Sequence, residues 1–304
     1  MTFMTIVLAG GSGFIGTSLT KVLIAKGYTV IVIDIRSPRF TDKNLFFIQC
    51  DLSMQALPYN VLEKTDAVIN LIGAPISQKW TSSYKNIIKE SRIRSTQTLV
   101  EALVAAQSRP TTFINASAIG YYGDTGELVV DEQGSKGTGF LSDVVALWEQ
   151  EAIKAESAGV RTVLIRTAPV IGQGGMLASL MKTVKFGFLL RLSKKDFWMS
   201  WIHEDDIVAV YLFALETTTL QGVVNACAPD RIHHHMFMQM LGKSVHRKVL
   251  GVVPPFIAKR LFGELFDELT KSQQVQPRRL IDKGFTFTHP TLSGAFHTIF
   301  SKKK

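Results

Sequence analysis

Apolar residues in the first half of the chain follow two alternating periods. Short unbroken runs have the length and β-branched content of strands buried on both faces: "MTIVLAG" from residue 4, "YTVIVID" from 28, "LFFIQCD" from 45, "DAVINLIG" from 66, "TTFINAS" from 111 and "RTVLIRT" from 161. Between them the spacing becomes helical. Leu19, Val22 and Leu23 share one face ahead of Gly27, which is placed as a C-terminal cap. Leu99, Val100, Leu103 and Val104 mark a helix that stops before Pro110, and "GTGFLSDVVALWEQEA" from residue 137 reads as another. Strands alternating with helices predict an α/β fold, a Rossmann-type doubly wound parallel sheet with helices on both faces.

Beyond residue 172 the rhythm changes. "GQGGM" reads as a loop, followed by helical and irregular sequence to Ser200. "DDIVAVYLFALE" reads as a helix and "GVVNACA" as a strand, and from Pro229 the pattern is helical. The expected plan is a nucleotide-binding domain over residues 1–172, to which 203–228 return. A smaller, mostly helical C-terminal domain on the substrate side is expected from residues 173–202 and 229–304.

Composition adds limits. No apolar run reaches the roughly 18 residues needed to span a bilayer, and the N-terminus lacks the basic start and small-residue cleavage site of a signal peptide. With only two cysteines, Cys50 and Cys227, a disulfide framework is not expected, so the expectation is a cytoplasmic protein with free thiols. The net charge is +9, and from residue 241 onward there are 12 Lys or Arg against 4 Asp or Glu. These basic residues, ending in "SKKK", are scattered and not interleaved with aromatics, which argues against nucleic acid. A solvated basic face is one reading; a wall attracting an anionic small-molecule substrate is the other. A monomer or a homodimer is expected.

The chemistry begins at "VLAGGSGFIGTSL". Gly10, Gly13 and Gly16 stand between a buried strand and an amphipathic helix. The first permits a tight turn, the second admits a pyrophosphate against the backbone, and the third lets helix and strand pack closely. The helix start, with Phe14 and Ile15, then offers backbone N–H groups to phosphate. The cofactor expected is therefore NAD(P). Asp34 ends the second strand, 18 residues after Gly16, where a carboxylate would hold the adenosine ribose and favour NAD. Arg36 and Arg39 lie just beyond it and would suit a 2′-phosphate instead. Asp51 and Leu52 are placed to border the adenine, and Leu71, Gly73 and Ala74 to pass the phosphates and ribose.

Together "GGSGFIG", "CDL", "NLIGAPI", "SRIRSTQTLVEAL", "FINASAIGYYGDTGE", "SWIHEDD" and "KSQQVQPRRLIDKGFTFTHPTL" resemble the extended short-chain dehydrogenase/reductases of the NAD-dependent epimerase/dehydratase family. The resemblance is to an atypical branch carrying a C-terminal domain of unknown function. It implies a serine after the fifth strand, met by Ser117 with Ala118 as the alternative alignment. It also implies a Tyr-x-x-x-Lys pair on the following helix, whose tyrosine exchanges a proton and whose lysine holds the nicotinamide ribose. Anchored on Glu149, the pair's positions are occupied by Leu141 and Val145, neither of which carries a proton. Arg92 falls where ordinary members have an asparagine.

Other candidates for the missing acid are Tyr121, Tyr122 and His203, each with a packing or capping role as its alternative. Arg166 ends a strand on the cofactor side, where it would orient an anion or form an ion pair. Asp205 and Asp206 are expected to cap the helix that follows them, and Asp131 and Glu132 read as a paired or solvated carboxylate site. Consecutive residues of "HHH" at 233–235 would point to opposite sides of a strand, with no cysteine or carboxylate beside them in sequence, so no metal site is expected. Two functions remain open on these residues: an oxidoreductase or epimerase with a nonstandard acid, acting on a sugar nucleotide or another small carbonyl or hydroxyl compound, and a non-catalytic cofactor-binding module serving as redox sensor or assembly partner.

Overall fold

The computed structural model describes residues 4–184 and 189–301; the last lysines of the basic tail lie outside them. Seven strands form the central sheet: β1 (Thr5–Ala9), β2 (Thr29–Asp34), β3 (Leu45–Gln49), β4 (Ala67–Asn70), β5 (Thr112–Ala118), β6 (Arg161–Thr167) and β7 (Gly222–Ala226). Their order is β3-β2-β1-β4-β5-β6-β7, and every pairing is parallel. Alternation within β1 shows why the runs are apolar throughout. Ile6 and Leu8 face one layer of the core while Val7 and Ala9 face the other.

The first layer is closed by α1 (Phe14–Ala25) through Leu19 and Leu23, and by α5 (Glu204–Glu216) through Ile207, Val210, Tyr211 and Ala214. The second is closed by α2 (Ser82–Ala105) through Leu99, Val100 and Leu103, and by α3 (Phe140–Ile153) through Ala152. Helix α1 ends as its sequence predicts. Gly27 adopts φ +88°, its N–H bonds Ile24 O, and Tyr28 N–H bonds Leu23 O, closing the two bonds of a Schellman cap.

After β6, Val170–Ile171 pairs in parallel with Ile202–His203, and helix α4 (Gly175–Val184) leaves the sheet. The C-terminal region is built on α6 (His234–Ser244) and α10 (Leu292–Ser301) around Leu177, Trp201, Phe237, Leu241 and Phe296, while α7 (Pro255–Phe262) packs through Phe262 against a separate cluster with Trp80. The two short helices between them, Leu265–Leu269 and Arg278–Asp282, are α8 and α9. This region is less purely helical than the periodicity implies: Val249–Val252 pairs with Leu189–Arg191, and Gln274–Val275 with Val129–Val130. Among the described residues no helix is long and apolar enough to cross a membrane.

Candidate cofactor and active site

Strand order reverses between β1 and β4, and the loops leaving both strands meet there. Gly10 has φ +81°, and a Cβ on it would stand 2.9 Å from the Leu71 carbonyl carbon. A Cβ on Gly16 would lie 2.3 Å from Gly10 O, so helix and loop touch backbone to backbone. Gly13 differs. Its φ of −72° suits any residue, and a Cβ there would meet only Gly10 O, at 3.2 Å, leaving the outer side open. Gly13 is also the N-cap of α1, with no side chain capping the helix and no acidic residue in its first turn. Open space above Gly13 and an uncapped helix start fit a diphosphate.

Asp34 is buried at the end of β2. Its Oδ2 accepts from Ser12 N–H at 3.1 Å and its Oδ1 from Arg36 N–H at 3.1 Å, so each oxygen holds a backbone donor of a neighbouring loop. The side chains of Arg36 and Arg39 are exposed beside it. Asp51 Oδ1 takes Ser53 N–H at 3.0 Å, and Leu52, buried, accepts from Thr98 Oγ1 through its carbonyl. Arg92 packs behind the turn after β4. Its guanidinium donates to Ala74 O and Ile88 O, would lie 2.9 Å from a Cβ on Gly73, and is lowered to about 10 by burial. The Phe14 ring packs on Gly174 and Gly175, filling the space a Cβ on Gly174 would occupy. Glu204, which opens α5, accepts from Ser18 Oγ at 2.7 Å and from Gln173 N–H, tying the loop before α4 to α1.

At the end of β5 lies a buried polar chain. Ser117 Oγ donates to Glu149 Oε1 at 2.5 Å, and Arg166 clasps Glu149 with Nε at 2.8 Å and a second nitrogen at 2.7 Å. The pair is 4% and 7% exposed. Arg166 also donates to the Tyr122 hydroxyl at 2.9 Å, which in turn donates to Asn225 Oδ1 at 2.8 Å. Burial opposes the charge on Arg166, but Glu149 outweighs it and raises the arginine above its ordinary value. Burial pushes Tyr122 up to about 12. The Tyr121 ring lies flat against Arg166, 3.4 Å from guanidinium carbon to ring centroid. Tyr121 is half-buried, and its hydroxyl has no hydrogen-bond partner among the described residues.

His203 is buried at the start of α5, where Nδ1 accepts from Asp205 N–H at 3.1 Å and the ring lies tilted by 40° against His289, centroids 3.8 Å apart. The cap of α5 is thus the imidazole. Asp206 turns back to accept from the N–H groups of Thr288 and His289. Glu132 likewise receives Asn225 N–H and Arg279 N–H, and Asp131 faces Arg278 at 3.3 Å. A cleft of about 960 Å³, lined by Arg191, Lys243, Arg247 and Lys248, opens in the C-terminal region and includes none of the glycine-loop residues.

Glu149 is the site residue that periodicity did not single out. Its signal is chemical: it is the one carboxylate on a buried α3 face otherwise made by Ser142, Val144, Val145, Trp148 and Ala152.

Residues 6–227 match the NAD dependent epimerase/dehydratase family, and residues 253–299 match a domain of unknown function, DUF1731. The chain belongs to this family. It is 35% identical over 298 residues to Epimerase family protein Mb2239 of Mycobacterium bovis, covering 97% of each chain. It is 31% identical over 302 residues to Epimerase family protein YfhF of Bacillus subtilis, covering 99% of each. The crystal structure of human epimerase family protein SDR39U1 with NADPH superposes with a TM-score of 0.84 at 26% identity, covering 98% of this chain and 99% of that one. The epimerase-family fold, its glycine loop and its open helix start make this an NAD(P)-binding protein.

Proposed function

We propose that the protein is an NADP(H)-dependent oxidoreductase or epimerase that acts without the Tyr-x-x-x-Lys dyad, on a small anionic carbonyl or hydroxyl compound. The observation carrying this reading is Tyr121, whose ring is held over Arg166 just after β5 while its hydroxyl has no protein hydrogen-bond partner among the described residues. Tyr122 is occupied by Arg166 and Asn225, and His203 caps α5. By the resemblance anchored on Glu149, Leu141 and Val145 fall at the dyad positions, and Val145 is 3% exposed.

When bound, the nicotinamide supplies or accepts a hydride. Tyr121 then gives its hydroxyl proton to the substrate oxygen during reduction and regains one from solvent; oxidation runs the reverse. Ser117, its own hydrogen committed to Glu149, accepts a hydrogen bond from the hydroxyl form of the substrate and so orients it in the oxidation direction. Glu149 and Arg166 hold Ser117 and Tyr121 in place. The excess of Lys and Arg from residue 241 onward supports an anionic substrate.

NADP(H) is favoured over NAD(H) on two grounds. Asp34 has a backbone N–H on each oxygen, which offsets part of its charge, and Arg36 and Arg39 are exposed next to it. The related human protein was solved with NADPH.

Testing starts with cofactor titration by calorimetry, where NADPH should bind more tightly than NADH. Arg36→Ala with Arg39→Ala should erase the difference. Tyr121→Phe should then lower turnover on a panel of aldehydes, ketones and sugar nucleotides by about 10²–10⁴-fold, with NADPH affinity intact. Full activity in Tyr121→Phe would discard the assignment. Cofactor binding with no turnover on any panel member would favour the second reading, a redox-sensing or assembly module, which the apolar Leu141 and Val145 suit.

A further inference from the structure

A second cluster of reactive side chains lies away from the glycine loop, at the seam where the chain enters α6. Trp198–Met199 runs antiparallel to Ile232–His233, with Trp198 opposite His233. At His234 the strand becomes helix, so His233 is the N-cap of α6 and His235 sits in its first turn. That change of backbone geometry sends the three consecutive histidines in different directions. His234 goes inward, 4% exposed and stacked on Phe197 at 4.5 Å. His233 and His235 turn towards Asp196.

Asp196 lies 39 residues before His235 in the chain, where no sequence spacing would find it. Its Oδ1 accepts from His235 N–H at 3.1 Å. Its Oδ2 stands 3.1 Å from His233 Nδ1 and in closer contact with His235 Nδ1. One carboxylate oxygen therefore faces two imidazole nitrogens. The His233 nitrogen is buried and, despite that distance, is not aligned for a hydrogen bond. The three ligand atoms lie within 4.8 Å of one another. Ligand atoms around a tetrahedral zinc ion, bound at about 2.0–2.1 Å, are separated by about 3.3 Å. The side chains are 31–34% exposed, which leaves room for solvent and a path for an ion.

We propose that Asp196, His233 and His235 bind a divalent transition-metal ion of the zinc type. The ligands are two imidazole Nδ1 atoms and one carboxylate oxygen, with water completing the coordination shell. Nitrogen and oxygen donors in this number suit Zn²⁺ and Co²⁺ and not Ca²⁺ or Mg²⁺, which take oxygen. Bound there, the ion ties the strand at Trp198 to the start of α6. The other histidine cluster, His203, Asp205 and His289, is a weaker candidate because His203 Nδ1 already accepts the Asp205 N–H.

The full chain, free of any histidine tag and stripped with chelator, would be titrated with Co²⁺, followed by its visible d–d absorption, and with Zn²⁺ by calorimetry. One equivalent per chain is expected, with a rise in melting temperature as the ion is added. His235→Gln and Asp196→Asn should each weaken affinity at least about tenfold. Asn keeps the oxygen that accepts His235 N–H, so the helix cap survives; equal chelator-treated melting curves would verify this, and His233→Gln serves as a third variant should one melt early. Quenching of tryptophan fluorescence by Co²⁺ should diminish in Trp198→Phe, since that indole stacks on His233 at 3.7 Å. The proposal is overturned if neither ion binds at millimolar concentration, or if affinity survives all three ligand substitutions. Loss of binding in His289→Gln alone would also overturn it, by moving the ion to the other cluster.

Discussion

At the scale of single residues, the glycine loop separates two roles that a sequence motif merges. Gly16 has no room for a methyl group against Gly10 O, while Gly13 has room on its outer side. Gly16→Ala is therefore expected to lower the melting temperature of the cofactor-free protein. Gly13→Val should lower that temperature less than Gly16→Ala does and abolish NADPH binding in calorimetry, because its side chain would occupy the phosphate's place. The Arg166–Glu149 pair has a different character. Arg166→Met strands a buried carboxylate that also holds Ser117, and a loss of about 3–5 kcal/mol in urea unfolding is expected. Tyr122→Phe should reduce stability but leave any pH profile of turnover in place, since burial keeps the hydroxyl protonated up to about 12.

At the scale of elements, ends matter more than middles. Helix α5 starts on an imidazole that accepts the Asp205 N–H, so His203→Ala should cost about 1 kcal/mol of stability through the lost cap. Under the proposed function it should also leave turnover unchanged, which separates a capping histidine from a reacting one. "DDIVAVYLFALE" announced the helix from its periodicity. The two aspartates next to it suggested a carboxylate cap, but Asp206 is drawn away by two backbone donors from residues 288 and 289. No local pattern encodes a partner 82 residues distant.

At the scale of the whole molecule, the C-terminal region is threaded into the nucleotide-binding half. Gln274–Val275 extends beside Val129–Val130, and Gln273 Nε2 donates to the carbonyls of Ile119 and Gly123 around Tyr121 and Tyr122. Arg279 bonds the carbonyls of Gln221 and Val223, while Gln276 O receives the Asn225 amide that completes the Tyr122 chain. The two parts should therefore unfold together. Urea transitions followed by far-ultraviolet circular dichroism and by tryptophan fluorescence are expected to coincide. A chain ending at Val252 should lose both cooperative unfolding and NADPH affinity; retention of either would show that the threading is dispensable.

The sequence by itself determined the sheet, its covering helices and the glycine loop between the first strand and the first helix. Each depends on short-range facts: runs of β-branched residues, a 3.6-residue apolar period, and glycines where a backbone must turn or approach another. Tertiary structure decided the rest. It placed Glu149 between Ser117 and Arg166, gave both oxygens of Asp34 to backbone donors, and brought Asp196 to His233 and His235. Each of these depends on groups far apart in the chain, and their pairing follows from how the layers pack. Burial then sets the outcome, because a polar group removed from water must find a partner wherever the fold provides one.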